Sequence, residues 1–274
     1  VMPEDIGDVL FFIQKGGKSV RELSYDFSKD RHISVDMNVL AEHLTRDYRI
    51  VDMAYQQHPY QILWCVRDDG VVIALTYLKE HDVYGWSRHT FGSGEVESVA
   101  VIPGNPDDPE DEVWFTIKRT VNSAEVRYVE KLKKFNYGTS LSDAVYMDCA
   151  LTYDGAATTT ISGLSHLEGE AVQVLADGVV VTGKTVSSGS ITLTTAASKV
   201  HVGLANTPEF ETLDIDAESK TIDGTSQGGT KRITNVIIRL ISSQGGVFGA
   251  DSSNTDPIVY RSTTSPFTGW TEDM

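Results

Sequence analysis

The sequence predicts a mainly β protein in which partial, blade-like repeats of antiparallel strands are combined with a small inserted β-barrel or sandwich module. Short runs rich in Val, Ile, Thr, Tyr and Phe alternate with Gly, Asn and Asp turns along most of the 274 residues, which is typical of short strands. Three hairpins also recur at a nearly constant spacing, as repeated structural units do. Together these observations predict a fold built from successive small sheets.

The three hairpins begin at Asp8, Gln61 and Glu112. Each consists of a hydrophobic strand, a polar turn and a second strand that carries a tyrosine. The tyrosines are Tyr25, Tyr77 and Tyr128, so the spacings are 77 − 25 = 52 and 128 − 77 = 51 residues. A further strand precedes two of the hairpins, at 50–55 and 96–101, and the offset between these two strands is 96 − 50 = 46 residues.

Units of about 40–50 residues with three or four antiparallel strands are typical of β-propeller blades. Two or three blades do not close a ring, so the ring needs more chain or more copies. We therefore assign residues 1–148 to blade-like repeats. One short helix is expected within them, from Val35 to Arg46, because Val39, Leu40 and Leu44 are spaced as on a helix and Ser34 or Asp36 could cap it.

The composition changes near Cys149, where Thr, Ser, Gly, Ala and Val become frequent and charges become rare. Residues 149–206 are predicted to form the small β module, with turns at 167–170, 176–178, 182–184 and 187–190. Residues 207–274 are predicted to be a β segment that returns to the main domain. It contains an apolar strand at 233–242 and a Gly-Ser-Asn loop at 243–256.

The charge balance restricts the kinds of partner. There are 23 basic and 39 acidic residues, a net charge of −16, which disfavours nonspecific wrapping of nucleic acid. No apolar run reaches the length of a membrane helix and no signal peptide is recognisable, so no membrane partner is expected. Neither end resembles a finished terminus, and we expect a piece of a longer protein. Cys65 and Cys149 are expected to be ordinary apolar residues, without a disulfide or a zinc site.

Residues 178–185, GVVVTGKT, match the phosphate-binding pattern G-x-x-x-x-G-K-[ST]. A working loop of this kind needs a helix after it, whose N-terminus faces the phosphates. Here all four variable positions, 179–182, are β-branched, and VSSGSITLT follows without a helical period. We predict a hairpin with its turn at Asp177-Gly178, a second bend at Gly183-Lys184, and Lys184 facing solvent.

A second pattern, G-x-S-x-G, occurs at 224–228 with Ser226 in the nucleophile position. A nucleophile elbow lies between a strand and a helix, whereas strand-like TKRITNVIIRL follows here. Nothing in the sequence brings His166 or His201 near Ser226. We predict no catalytic residue and no enzymatic activity.

No metal or cofactor site is predicted either. The acidic run 105–112 lacks the alternating ligands of a calcium loop and is expected to be a solvated hairpin loop. His81 and His89 would lie roughly 26 Å apart on an extended strand, and His58 precedes a proline in a turn. The recurring aromatics are expected in the core between blades, although exposed ones could bind glycans. They are Trp64, Trp86, Trp114, Tyr77 and Tyr128.

Several segments resemble the tail-nozzle, or tail accessory, proteins of short-tailed bacteriophages and prophages. In the first part these are VRELSYDF (20–27), VLAEHL (39–44), VDMAYQQHPYQILWCVRDDG (51–70), ESVAVIPG (97–104), DEVWFTIKRTVN (111–122) and RYVEKL (127–132). HLEGEAVQVLADG (166–178) and KVHVGLAN (199–206) resemble the small inserted module of those proteins, which is likened to the FCCH domain of ubiquitin-activating enzymes. GTSQGGTKRITNVIIRL (224–240) resembles the segment that follows it.

The resemblance implies a non-enzymatic virion protein, made in the host cytoplasm and located in the phage tail. Such proteins form a ring below the portal, a hexamer when full-length, and contact the portal or adaptor and other tail proteins. DNA passes through the central channel without specific binding, and the charge of −16 suits a wall that repels the duplex. The alternative function is an adhesin-like β-propeller that binds host glycans.

Overall fold

The computed structural model describes residues 1–135, 137–212, 232–240 and 245–258. The chain is mainly β, as the sequence predicts. It divides into two compact units, Val1–Glu209 and Phe210–Met274. Within the described ranges, no helix is long and apolar enough to cross a membrane.

Three antiparallel sheets follow one another along the first part of the chain, and in each the strands are adjacent in chain order. Sheet 1 contains β1 (Glu4–Ile6), β2 (Val9–Ile13), β3 (Val20–Asp26) and β4 (Arg31–Asp36). Sheet 2 contains β5 (Ile50–Gln56), β6 (Ile62–Arg67), β7 (Val72–Leu78) and β8 (Val83–His89). Sheet 3 contains β9 (Gly94–Ile102), β10 (Glu112–Val121) and β11 (Ala124–Lys131).

The three sheets are stacked face to face in chain order. One buried cluster joins Phe11 of sheet 1 to Leu63 and Leu75 of sheet 2. A second cluster joins Trp64 on the opposite face of sheet 2 to Phe115 of sheet 3. Sheet 2 is therefore covered on both faces, which explains why every residue of β6 is buried and why its residues 62–66 form a continuous apolar run rather than an alternating one.

The predicted short helix from Val35 to Arg46 is confirmed only in part. Val35 and Asp36 end β4, and only a kinked 3-10 helix, Val39–Leu44, follows. The buried Asn38 side chain accepts a hydrogen bond from the Val20 amide and donates to Lys18 and Thr45. These bonds close the segment into a tight loop. Leu40, which the helical pattern would have placed inward, is 96% exposed.

The module is one antiparallel sheet of order β12-β15-β13-β14. Its strands are β12 (Met147–Ser162), β13 (Ala171–Ala176), β14 (Val179–Thr185) and β15 (Ser190–Ala205). Residues such as Ile161, Leu167 and Val202 form its own buried cluster. The prediction left a barrel or a sandwich open, and no sheet of the described residues closes into a barrel. Bulges bend the two long strands, β12 and β15, where their register shifts.

In the second unit, two predictions were wrong. The described part of the predicted strand 233–242, residues 233–240, has no regular secondary structure, and Ile237 is 88% exposed. The predicted loop 243–256 instead contains a hairpin of β16 (Val247–Asp251) and β17 (Asn254–Pro257). The Asp251 carboxylate accepts hydrogen bonds from the Ser253 and Asn254 amides and so closes its turn.

Candidate functional site

The contacts between successive sheets are the most regular feature of the structure. The Ile50 amide at the start of β5 donates to the Gly17 carbonyl in the β2–β3 turn, at 2.8 Å. One sheet further, the Val96 amide in β9 donates to the Gly70 carbonyl in the β6–β7 turn, at 2.9 Å. In both cases the hairpin turn of one sheet holds the first strand of the next. We call this contact the turn latch.

Both turn glycines are required by geometry. Gly17 and Gly70 have φ values of +80° and +79°, which side chains disfavour. A Cβ at Gly70 would lie 2.6 Å from the Cβ of Glu95, and one at Gly17 would lie 2.9 Å from the Cβ of Arg49. The recurring glycine therefore allows the next sheet to approach the turn closely.

A tyrosine crosses from sheet 2 to sheet 1. Tyr77 packs edge-on against Phe11, with ring centroids 4.9 Å apart, and its hydroxyl donates to Glu22 at 3.1 Å. Lys79 also contacts Glu22, at 2.9 Å. Burial first, and then the Glu22 carboxylate, raise the pKa of the Tyr77 phenol. The hydroxyl thus remains a proton donor to Glu22.

The seam between sheets 2 and 3 is held by two carboxylates. Asp52 of β5 accepts a hydrogen bond from the Val99 amide of β9, at 3.0 Å. Asp111 accepts from the amides of Gly104, Gln57 and His58, at 2.7 to 2.9 Å. Burial raises the pKa of Asp111, but the three amide donors outweigh it and the net shift is downward. The loop 105–112, which was predicted to be solvated, therefore carries near its end the Asp111 carboxylate, which joins sheets 2 and 3.

A cluster of charged groups connects sheet 3 to the module. The side chain of Arg119 is only 2% exposed, and it pairs with both carboxylate oxygens of Glu130, at 2.6 and 2.9 Å. Its third nitrogen donates to the Gly92 carbonyl, while the Gly92 amide donates to Asp148 at the start of the module. Burial raises the pKa of Asp148. This arrangement positions the module. The charged side chains of Arg119, Glu130 and Asp148 all have partners within the cluster.

The residues before the module also bind to it. The buried His201 ring contacts the Thr152 hydroxyl at 2.8 Å and the Ser142 carbonyl at 2.7 Å. Lys199 pairs with Asp143 and with Asp154. His166, the other histidine of the module, contacts the Cys149 carbonyl at 3.2 Å. Both module histidines are thus used in structural contacts.

The match to the phosphate-binding pattern lies on an edge strand. Asp177 and Gly178, with φ values of +47° and +81°, form the turn before β14. The predicted bend at Gly183-Lys184 was wrong. Gly183, at φ +71°, lies in a bulge where the register with β13 shifts. Lys184 is half-buried and pairs with Val172. The chain continues from Thr185 through a turn to β15, so no helix N-terminus faces the glycines.

The second motif, with Ser226, lies outside the described residues. Among the described ones, no three His, Cys, Asp or Glu side chains are grouped so that they could hold a metal ion. His81 and His58 are exposed. His89 packs against Trp64 at 5.3 Å, and burial lowers its pKa.

The aromatics singled out in the sequence are mostly inside the stack. Trp64 and Tyr77 are 3% and 2% exposed. Trp86 is half-buried and donates to the Met37 carbonyl, and Trp114 is half-buried under Lys131. What sequence reasoning missed is the pair of inter-sheet carboxylates, Asp52 and Asp111. In the sequence, the short separation between Gly104 and Asp111 was the one signal that could have indicated the role of Asp111.

Neither the known protein-family models nor the curated protein sequences contain a match to this chain.

Proposed function

We propose that this chain is a non-enzymatic structural component of a phage tail nozzle, and that its stacked sheets form part of the wall of a DNA channel. Its partners would be copies of itself in a ring, the portal or adaptor, and other tail proteins. The proposal rests on the resemblance of the sequence segments and is supported by the distribution of charge on the first strands of the sheets.

The first strands β1, β5 and β9 are neighbours: β1 contacts β5, and β5 contacts β9. Together they carry five carboxylates and no lysine or arginine. The carboxylates are Glu4, Asp5, Asp52, Glu95 and Glu97. Burial first, and then the nearby Asp52, raise the pKa of Glu4, as expected for two carboxylates close to each other. Glu95 and Glu97 are ion-paired with Lys118 and Arg127 of sheet 3, so the net negative charge of the row comes from Glu4, Asp5 and Asp52. If the first strands of blade-like sheets face a central axis, these three carboxylates give that axis a negative wall.

A negative wall suits a channel through which DNA slides. Lysine and arginine facing the phosphates would hold the duplex by releasing counterions, whereas carboxylates keep it away. The first-strand carboxylates are the observation that carries this part of the proposal.

The proposed location of this chain in the phage tail is tested in the phage itself. The reading frame is deleted, and particles are produced with and without a complementing copy. We expect the complemented particles to contain the chain in the tail, as seen by electron microscopy with a tagged copy. Deleted particles should fill with DNA, lose it and fail to infect. Infectious particles from the deletion would refute the proposal.

The channel wall is tested by reversing charges. We expect the triple variant Glu4→Lys, Asp5→Lys and Glu95→Lys to bind a duplex oligonucleotide that the wild type does not retain at physiological salt. A control with the same change in net charge reverses the exposed Asp47, Glu80 and Asp107. Equal DNA binding by both variants would mean that net charge, and not the first strands, decides the result.

The glycan-binding alternative has one observation in its favour. Tyr146 is 68% exposed and lies beside the half-buried Tyr137, with ring centroids 5.9 Å apart. However, the two rings meet at 82°, so they do not form the flat platform on which a sugar stacks. A glycan array with the wild type and with Tyr146→Ala decides: a signal that the substitution abolishes would favour the alternative.

A further inference from the structure

The acidic loop between β9 and β10 contacts its surroundings on two sides. Asp111 faces sheet 2, where it accepts two backbone amides. Asp108, Glu110 and Glu112 occupy every second position of the same acidic run. All three bind the chain at the point where it leaves sheet 3. The loop therefore holds the end of sheet 3 as well as sheet 2.

We call residues 132–135, which follow β11, the exit strap. The Leu132 amide donates to the Val113 carbonyl at 2.8 Å, which extends the β10–β11 pairing by one backbone bond. The Leu132 side chain packs against the buried cluster shared by sheets 2 and 3. The strap thus begins as a continuation of sheet 3.

Beyond Leu132, carboxylates of the acidic loop hold the exit strap. Lys134 forms an ion pair with Asp108, and this contact raises the pKa of the lysine. The Phe135 amide donates to the Glu110 carboxylate at 3.1 Å. The position of this part of the strap therefore depends on charged groups.

One aromatic contact fastens the end of the exit strap to sheet 2. Phe135 meets Tyr60, in the β5–β6 turn, edge-on with ring centroids 5.1 Å apart. A narrow cavity lined by Gln56 and the strap lies beneath this contact. The strap therefore crosses the end of the seam between sheets 2 and 3.

The chain between the exit strap and the module is also anchored at its other end. Ser142 and Asp143 bind His201 and Lys199 of the module. The module has a separate joint to sheet 3, the cluster around the buried Arg119. Release of the strap would therefore leave this second joint in place.

The two attachments differ in their exposure to solvent. The side chains of Lys134 and Asp108 are 43% and 45% exposed, whereas the side chain of Arg119 is 2% exposed. Exposed ion pairs contribute little to stability and are screened by salt, while buried pairs are screened much less. Rising ionic strength therefore weakens the strap before it weakens the Arg119 cluster.

We infer that the exit strap is an ionic clasp, which is closed over the end of the seam at low ionic strength and opens as salt rises. The module stays attached through the Arg119 cluster in both states. Opening frees residues 132–135 and lengthens the unanchored connection between sheet 3 and the module. This device is independent of the proposed function, because all of its contacts lie within one chain.

Limited digestion with trypsin reports the opening of the exit strap, because the strap contains Lys133 and Lys134 and an opened segment is cut in proportion to its population. The whole chain is digested at about 0.01 M and about 1 M salt, where the Debye length is roughly 30 Å and 3 Å. Cleavage at Arg239, in the exposed irregular segment 232–240, corrects for the effect of salt on trypsin. We expect the corrected cleavage in the strap to rise about fivefold at high salt.

Asp108→Asn removes the ion pair and leaves the cleaved sequence unchanged. We expect it to raise strap cleavage about fivefold at low salt and to remove most of the salt dependence. Asp107→Asn, which makes the same charge change at an exposed neighbour, should match the wild type, and Asp108→Glu should retain the protection. Tyr60→Ala should raise cleavage at both salt concentrations, because an aromatic contact is not screened by ions.

Equal strap cleavage in Asp108→Asn and Asp107→Asn would overturn the inference, as would a wild-type ratio that does not change with salt. Fast cleavage of the wild type at low salt would also overturn it, since the strap would then be open without added salt. Cleavage after the buried Arg119 marks unfolded chains. If Asp108→Asn shows such cleavage, Glu110→Ala, which removes the acceptor of the Phe135 amide, takes its place with the same expected results.

Discussion

At the scale of single residues, a few groups carry the contacts between sheets, and most are glycines or carboxylates. The glycines allow close approach, and the carboxylates collect backbone amides from two sheets at once. Gly70 and Asp111 are the clearest examples. Both can be tested by changes that leave the rest of the chain untouched.

Gly70→Ala is expected to lower the free energy of unfolding by about 2 kcal/mol, because the added methyl would occupy a positive φ and meet the Glu95 backbone. Urea unfolding followed by circular dichroism measures the change. Gly85→Ala is the control, since a Cβ there meets nothing within 4 Å and the residue lies in the exposed strand β8. Equal effects at both glycines would contradict the role of the turn latch.

Asp111→Asn is expected to destabilise the protein by about 2 kcal/mol at neutral pH, because an amide group would face backbone donors on one side. The folded pKa of Asp111 is lowered, so its stabilising contribution is present above the unfolded value of about 3.9 and is lost as the pH falls through the folded pKa.

The difference between wild type and Asp111→Asn should therefore shrink in acid, which urea unfolding from neutral to acidic pH would show. Asp107→Asn, in the same loop but exposed, should behave like the wild type. A difference that grows in acid would contradict the assignment.

At the scale of strands, hydrophobic runs and turn residues located most elements of the stack. The hairpins predicted at Asp8, Gln61 and Glu112 are β2–β3, β6–β7 and β10–β11. The errors occur where a local pattern has two readings. Leu40 fits a helical stripe but is exposed, because Asn38 closes the loop. Gly183 suggests a turn but forms a bulge, because β13 continues beside it.

The strand β14 leads to a direct biochemical prediction. The wild type is expected to show no ATP binding tighter than about 1 mM by isothermal titration calorimetry, because the amides of an extended strand do not converge on one phosphate as those of a loop before a helix N-terminus do. The free energy of unfolding of Lys184→Ala should lie within about 0.5 kcal/mol of the wild-type value, as for a surface substitution. ATP binding that disappears in Lys184→Ala would restore the nucleotide interpretation.

At the scale of the whole molecule, the module is an insertion with its own core. Its buried cluster contains only residues between Cys149 and Leu204. Its ends are adjacent, because Met147 pairs with Ala205. Excision should therefore disturb few contacts with the rest of the first unit, chiefly those of Asp148, His166, Lys199 and His201.

Replacing residues 147–205 by a short Gly-Ser linker is expected to leave the sheet stack folded. Calorimetry should show one unfolding transition fewer than in the wild type, or the same transition with a smaller enthalpy. As a control, deletion of β9–β11 should expose the Trp64 face of sheet 2 and cause aggregation. Unfolding of the stack upon removal of the module would contradict its independence.

Local sequence patterns were sufficient to predict the β class, the repeat of hairpins with Tyr25, Tyr77 and Tyr128, and the start of a different region near Cys149. These features depend on alternation and turn chemistry, which are local. The folded chain was needed to see which faces are buried, that Gly17 and Gly70 form the same turn latch, and that Asp111 joins two sheets. Those outcomes depend on contacts between residues tens of positions apart, and no local pattern contains the geometry that brings them together.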